Sequence, residues 1–211
     1  MAAKSSYHHG DLAGELMQHA VRHIAAEGTE SLSLRALARA AGVSQSAPYR
    51  HFPSKRCLLA ALATEGFGRL ERQIGTALAG HDDLEARFLA MGTAYVQFAV
   101  ANPTHYHLMF GAVLGDFSDY DMLVEAATRC FARVTALQEE IVATHRLEAD
   151  PDQLAGVIWA GVHGTASLLL NMTRPAVAGA REPVPPMLAV QALGEDVDGS
   201  LRLMYRSLIG G

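Results

Sequence analysis

Apolar residues recur along this chain at three- and four-residue intervals, and no segment shows the period-two alternation of a half-buried strand. Leu12, Leu16, Ala20 and Ile24 stand four apart, with Glu15, His19, Arg22 and His23 between them. That spacing predicts an amphipathic helix stopping near Gly28, a residue suited to the C-terminal cap. Ser33 suits the N-cap of a second helix that turns Leu34, Leu37 and Ala38 inward and ends at Gly42. A third short helix is expected from Ser44 or Ser46. Ser54, following Pro53, then caps a long helix with Leu58, Leu59, Leu62, Leu70, Ile74 and Leu78 on adjoining inner faces.

Beyond the Gly80-His81-Asp82-Asp83 break the pattern stays helical. Asp82 with Glu85 resembles a capping box, and Leu84, Phe88, Met91, Tyr95 and Phe98 follow at helical spacing. Asn102-Pro103 supplies a cap and a first-turn proline ahead of Tyr106–Phe110. Ser118 with Asp121 opens a helix running toward Arg146, and Asp150-Pro151-Asp152-Gln153 is a start signal for Leu154–Met172. A loop holding Pro175, Pro183, Pro185 and Pro186 precedes a last helix from about Asp196 to Ile209. There is no internal repeat and no low-complexity tail.

Residues 154–173 contain no charged side chain, so length alone admits a membrane span. His163, Thr165, Ser167 and Asn171 dilute the apolar character, and Gly156, Ala160 and Gly164 form a small-residue stripe at fourfold spacing. The pattern favours a helix in a subunit interface, with Gly156, Ala160, Gly164 and Leu168 as the candidate contact line and no membrane partner.

The charge distribution changes the picture more than the total does. Net charge is −5, which alone argues against a nucleic-acid binder. Residues 1–60, however, carry seven Lys and Arg against four acids, with five histidines besides, while the remaining 151 hold ten basic and eighteen acidic groups. A basic head on an acidic body puts any phosphate contact on the head. Half of the 211 residues are hydrophobic, enough for a sizeable core. The two cysteines, Cys57 and Cys130, form no CxxC pair, and the first eleven residues contain no apolar run. Both features fit a reducing, cytoplasmic setting.

Within the head, residues 33–55 read as two short helices joined by a tight glycine turn and followed by phosphate-seeking side chains, the build of a helix-turn-helix DNA reader. Gln45 suits an adenine edge, Ala47 a thymine methyl, and Tyr49, His51 and Lys55 suit phosphates. The run Leu37-Ala38-x-x-Ala41-Gly42-Val43-Ser44, then Tyr49-x-His51-Phe52-x-x-Lys55-x-x-Leu58-Leu59, resembles the DNA-binding domain of the TetR/AcrR family of transcriptional regulators. The resemblance implies phosphate contacts from Ser33, Tyr49, His51 and Lys55 and groove-facing roles for Arg35, Gln45 and Ser46. Ser44 and Arg50 complete the candidate DNA-facing set. Two features depart from the family pattern: Pro48 sits where many members have an aliphatic residue, and Ser46-Ala47 replaces the usual Gly-Thr or Gly-Ala pair before the tyrosine. Tyr7-His8-His9-Gly10-Asp11 and Trp159-Ala160-Gly161-Val162-His163-Gly164 resemble stretches of one subgroup.

The body offers Met91, Tyr95, Phe98, Met109, Phe110, Met122, Trp159 and His163 as candidate lining for an apolar or amphipathic small-molecule effector, since methionine and aromatic walls adapt to varied ligands. His105-x-His107 lacks a third metal ligand, and no nucleophile–base spacing, carboxylate pair or phosphate-cradling loop is present. No cofactor, metal or enzyme activity is therefore expected. The sequence leads to an all-α chain: an N-terminal three-helix helix-turn-helix domain over 1–54, a linking helix over 54–79, and a helical ligand-binding and dimerisation domain within 55–211. Its expected role is a ligand-responsive repressor acting as a homodimer on a palindromic operator in double-stranded DNA. The rival roles are a DNA-binding activator and a small-molecule-binding protein with a vestigial head.

Overall fold

The computed structural model describes residues 11–172 and 185–210, and among them every regular element is helical. The α-helices are α1 (Leu12–Glu27), α2 (Leu34–Ala40), α3 (Lys55–Leu78), α4 (Leu84–Ala101), α5 (Pro103–Phe110), α6 (Asp121–His145), α7 (Pro151–Met172), α8 (Pro185–Glu195) and α9 (Val197–Ile209). The chain divides into two compact units. One comprises Met1–Glu65 with Thr104–Leu123, and the other Gly66–Pro103 with Val124–Gly211. The first unit thus takes in residues 104–123 together with the N-terminal helices. Buried His105 marks the join, its Nε2 lying 3.1 Å from Glu65 Oε2.

The first unit is built by its caps. Asp11 accepts from the Gly14 N–H at the start of α1, and Ser33 accepts from the Ala36 N–H at the start of α2. Each such cap is worth about 1 kcal/mol. Helix α2 closes in a Schellman turn: the Val43 N–H donates to the Ala38 carbonyl and the Gly42 N–H to that of Arg39. Gly42 has φ +68°, a conformation that side chains with a Cβ enter at a cost, so the turn needs glycine there. Leu16, Ala20, Leu34, Leu37, Ala38, Pro48, Phe52 and Leu58 are buried in this unit.

The third helix expected from Ser44 or Ser46 is replaced by a turn, Ala47 N–H to Ser44 carbonyl, and a three-residue 3-10 segment, Pro48–Arg50. Pro48 has no N–H to donate to Ser44, and the Ser44 and Ser46 hydroxyls bond each other at 3.3 Å. Both features favour a tight turn over a regular helix. Ser54 caps α3 as expected, accepting from the Cys57 N–H.

In the second unit α4 is the central element, packed on α7 and α9, with α8 against both of those helices. Phe88, Met91, Tyr95 and Phe98 are buried along α4. A Cβ at Gly92 would stand 2.8 Å from the Leu201 methyls, so the Leu201 side chain of α9 fills the space beside α4 that a larger residue would need it to vacate. The sequence placed three start signals imperfectly. Asp83, and not Asp82, caps α4, because its carboxylate reaches the Ala86 N–H. Ser118 does not open α6: Asp116 captures its N–H and hydroxyl in a 3-10 turn, and α6 begins at Asp121. Pro185 and Pro186, read as loop, are the first turn of α8, a position where the missing proline N–H costs nothing. Pro175 and Pro183 lie outside the described residues.

Helix α7 is the one described element long and apolar enough to cross a membrane. One side of it is core, with Leu154, Ala155, Ile158, Val162, Ala166 and Leu170 buried.

Candidate nucleic-acid interface

The DNA-facing candidates occupy the surface of the first unit. Ser33, Arg35, Ser44, Gln45, Ser46, Tyr49, Arg50 and His51 are all exposed, and Lys55 is half-buried. Their supports are not: Leu34, Leu37, Pro48 and Phe52 hold the same stretches against the core. Ser33 has a fixed task already, since its hydroxyl oxygen caps α2, while its exposed position beside the helix N-terminus suits an anion. Lys55 donates from Nζ to the Glu30 carbonyl at 3.0 Å. An ammonium carries three protons, so this bond fixes the side chain's course and leaves donors for a phosphate oxygen. Arg35 projects from the first turn of α2, and Gln45 and Ser46 lie on the turn just before Pro48. The candidate reader is thus a short, hydrogen-bonded turn carrying donors of the kind that suit base edges, flanked by groups of the kind that suit phosphate. His8 and His9 lie outside the described residues.

The effector candidates separate between the two units. Met109, Phe110 and Met122 belong to the first; Met109 is buried, and Met122 is 67% exposed. Met91, Tyr95, Phe98, Trp159 and His163 belong to the second, where three of them meet. The Tyr95 hydroxyl and His163 Nδ1 are 2.9 Å apart, and the Trp159 ring lies 5.3 Å from the imidazole, with Phe131 edge-on to Trp159 at 6.2 Å. Burial disfavours the imidazolium and lowers the His163 pKa below its ordinary 6.5. A separate open groove of about 620 Å³ in this unit is lined by Gln73, Ala77, Ala90, Thr93, Gln97 and Asp198 among others, and by none of the eight candidates. Cys130 is buried and its thiol is pushed up to about 12, chiefly by desolvation, so it is no nucleophile at neutral pH.

One side chain escaped the sequence reading. Gln138, on α6, is completely buried, and neither end of its carboxamide has a hydrogen-bond partner among the described residues. In sequence it lies beside Glu139-Glu140 and resembles part of a solvated face. The available signal was its register, four residues after Val134 and three before Ile141, on the inward stripe.

The candidate interface stripe on α7 is open in the protomer. A Cβ at Gly156 or Gly164 would meet nothing within 4 Å, Ala160 is exposed, and Leu168 is 46% exposed. Val157 of α7 and Leu203 of α9 are exposed large apolar residues as well.

Comparison with known proteins agrees with this division of labour. Residues 16–62 match the family model of bacterial regulatory proteins of the tetR family, and residues 88–184 match that of the tetracyclin repressor-like C-terminal domain. A structurally characterised protein of unknown function from Rhodococcus sp. RHA1 is 31% identical, with a TM-score of 0.76 over 98% of this chain and 100% of that one. A TetR-family regulatory protein from Rhodococcus RHA1 shares the fold at 18% identity and a TM-score of 0.65, covering 93% of this chain and 96% of its own. The nucleoid occlusion factor SlmA of Enterobacter sp. (strain 638) is 26% identical over 147 residues, 67% of this chain and 73% of that protein. With a tetR-family head, a repressor-like body and a relative alignable from end to end, the chain belongs to the TetR family and is a DNA-binding transcriptional regulator.

Proposed function

We propose that the protein is a cytoplasmic, ligand-responsive repressor that binds a palindromic operator as a homodimer. The observation that carries the reading is the open apolar face of α7, with Gly156, Ala160, Gly164 and Leu168 uncovered in a protomer whose head exposes a single DNA reader. A second copy against that face, with α9 alongside, buries Leu168 and Leu203 and supplies the second head. Two heads related by a twofold axis read half-sites about 34–36 Å apart, one turn of DNA. In this reading Ser33, Tyr49, Arg50, His51 and Lys55 hold phosphates, and Arg35, Ser44, Gln45 and Ser46 face the groove.

Ligand control follows from a population shift. An effector that binds one arrangement of the heads more tightly withdraws the protein from the arrangement DNA selects. Helix α3 contributes residues to both compact units and is the natural lever. The Tyr95–His163–Trp159 cluster is the candidate polar-aromatic wall of the effector site. Selection of bound fragments from genomic DNA, followed by sedimentation of the complex, tests the proposal. The expected result is an enriched inverted repeat carrying two chains. Recovery of sequence-independent binding alone, or of one chain per site, overturns it.

A further inference from the structure

We infer that Gln138 is the polar anchor of a ligand site inside the second unit, and that its ligand carries a neutral group with donor and acceptor side by side, as in a carboxamide, a lactam or an un-ionised carboxylic acid. The inference rests on the ligand-responsive reading above, and names the chemistry of that site.

Phe131, Gln138 and His145 stand seven residues apart on α6, two helical turns each, and so form one stripe. The two outer members are engaged. Phe131 meets Trp159 of α7 edge-on, and His145 Nε2 lies 3.0 Å from the Tyr205 hydroxyl of α9. Gln138, midway between them, has no partner for Nε2 or for Oε1 among the described residues, although it is fully buried. Leu137 before it and Ile141 three residues on are buried to the same degree and are apolar. Buried carboxamides in native interiors are satisfied by something, because an unmade hydrogen bond there keeps the whole desolvation penalty. A leucine or methionine fills such a position without that penalty. A polar group that its own protein leaves unsatisfied is suited to recognising a molecule that comes and goes.

The character of the molecule follows from the side chain. A carboxamide presents N–H donors beside a carbonyl acceptor, so its full complement is another amide-like group forming two parallel hydrogen bonds. An ion is excluded by the depth of the site: a charge with only a neutral amide for company is not repaid its desolvation. The remainder of the ligand is apolar, to match Leu137, Ile141 and the Phe131–Trp159 pair along the stripe.

The test is a cycle of ligand head against side chain, using full-length protein with benzamide and toluene as probes of similar shape. Wild type is expected to bind benzamide at least tenfold more tightly than toluene. Gln138→Met is expected to lose benzamide at least tenfold and to retain toluene, with Gln138→Leu as the second variant. Wild-type protein labelled with ¹⁵N-glutamine gives an independent reading: the exchange-protected side-chain NH₂ signal shifts with benzamide and not with toluene. Equal benzamide binding by wild type and variant, no benzamide binding by wild type, or an unmoved amide signal each overturns the assignment. A bridging water as the sole partner of Gln138 gives that last pattern. Release of operator DNA is followed in parallel. If small molecules still release DNA while the discrimination is absent, the anchor fails and the ligand-responsive reading stands; discrimination with DNA affinity unmoved has the opposite meaning.

Discussion

Replacing Gln138 by methionine, with no ligand present, should make the protein more stable. Gln138 is wholly buried on α6, and its carboxamide nitrogen and oxygen both lack partners among the described residues. Methionine has nearly the same length and flexibility and asks for no hydrogen bond, so packing along the Leu137–Ile141 stripe is conserved. An unsatisfied buried polar group costs about 1–3 kcal/mol. The gain on removing the amide is therefore set at about 1–3 kcal/mol, the lower end corresponding to partial relaxation around it. For a chain of this size each kcal/mol moves the melting temperature by roughly 2–4 °C, which predicts a rise of about 2–12 °C. Differential scanning calorimetry at one fixed protein concentration is the assay, since the melting point of a dimer depends on concentration. Leu137→Ala is the control for disturbance of the same turn, and should lower stability by about 2–5 kcal/mol. A Gln138→Met melting point at or below that of wild type would refute the reasoning, because the amide must then be bonded in solution.

Four further outcomes follow from the same geometry. Lys55→Ala should weaken binding to every DNA sequence and reduce the slope of log affinity against log salt by about 1, and should lower stability too because Lys55 braces the Glu30 carbonyl; an unchanged slope removes it from phosphate contact. Gln45→Ala should alter the selected base sequence while leaving the salt slope alone, and an identical sequence profile counts against groove contact. Gly164→Asp should yield folded monomers in sedimentation, since a Cβ there meets nothing within the protomer; a persistent dimer would sink the interface assignment. His163 has a folded pKa below its ordinary 6.5, so the unfolded chain takes up its proton first. The stability this contributes is complete above about pH 6.5 and is lost as pH falls toward the folded pKa. His163→Gln should therefore melt with a shallower acid dependence than wild type, and parallel curves would contradict that.

Local signals carried most of the fold. Ser33, Ser54 and Gly42 announced helix ends through caps and a left-handed turn that depend only on neighbouring residues, and the structure contains each bond or angle they imply. Pro48, lacking an N–H, has to sit in a first turn or bend a helix. Its combination with the Ser44–Ser46 hydroxyl pair, which leaves only a 3-10 segment, depends on which of two local bonding schemes wins. Pro185-Pro186 misled for a related reason, because two prolines punctuate a loop and also fit a first helical turn. The exposure of the candidate DNA-facing residues was readable because polar positions there alternate with obligatory core at Leu37, Pro48 and Phe52. The effector candidates were less so. Residue type marks Met109, Met122 and Trp159 alike, and only packing assigns the first two to one unit and the last to the other. Gln138 was hidden by its acidic neighbours, although its register on α6 placed it inward.

Specificity and dimerisation are linked by energy as well as by symmetry. In the proposed reading one head offers Arg35, Gln45 and Ser46 to base edges, and each good pairing discriminates by about 1–3 kcal/mol, or roughly 3–9 kcal/mol in all. Finding one site among 10⁶–10⁹ competitors takes on the order of 8–12 kcal/mol, at about 1.4 kcal/mol per factor of ten. A single head falls short over most of that range, and two heads on one operator reach it. In the proposed dimer the second copy lies on the uncovered side of α7, which carries no charged residue from Leu154 onward and is opened further by Gly156 and Gly164. Both properties should therefore fail together. In a Gly164→Asp monomer, affinity for the selected inverted repeat should fall by orders of magnitude, while the weak salt-driven binding of each head to random DNA stays within a few fold. Equal losses on both DNAs would separate dimer formation from sequence reading and break the link.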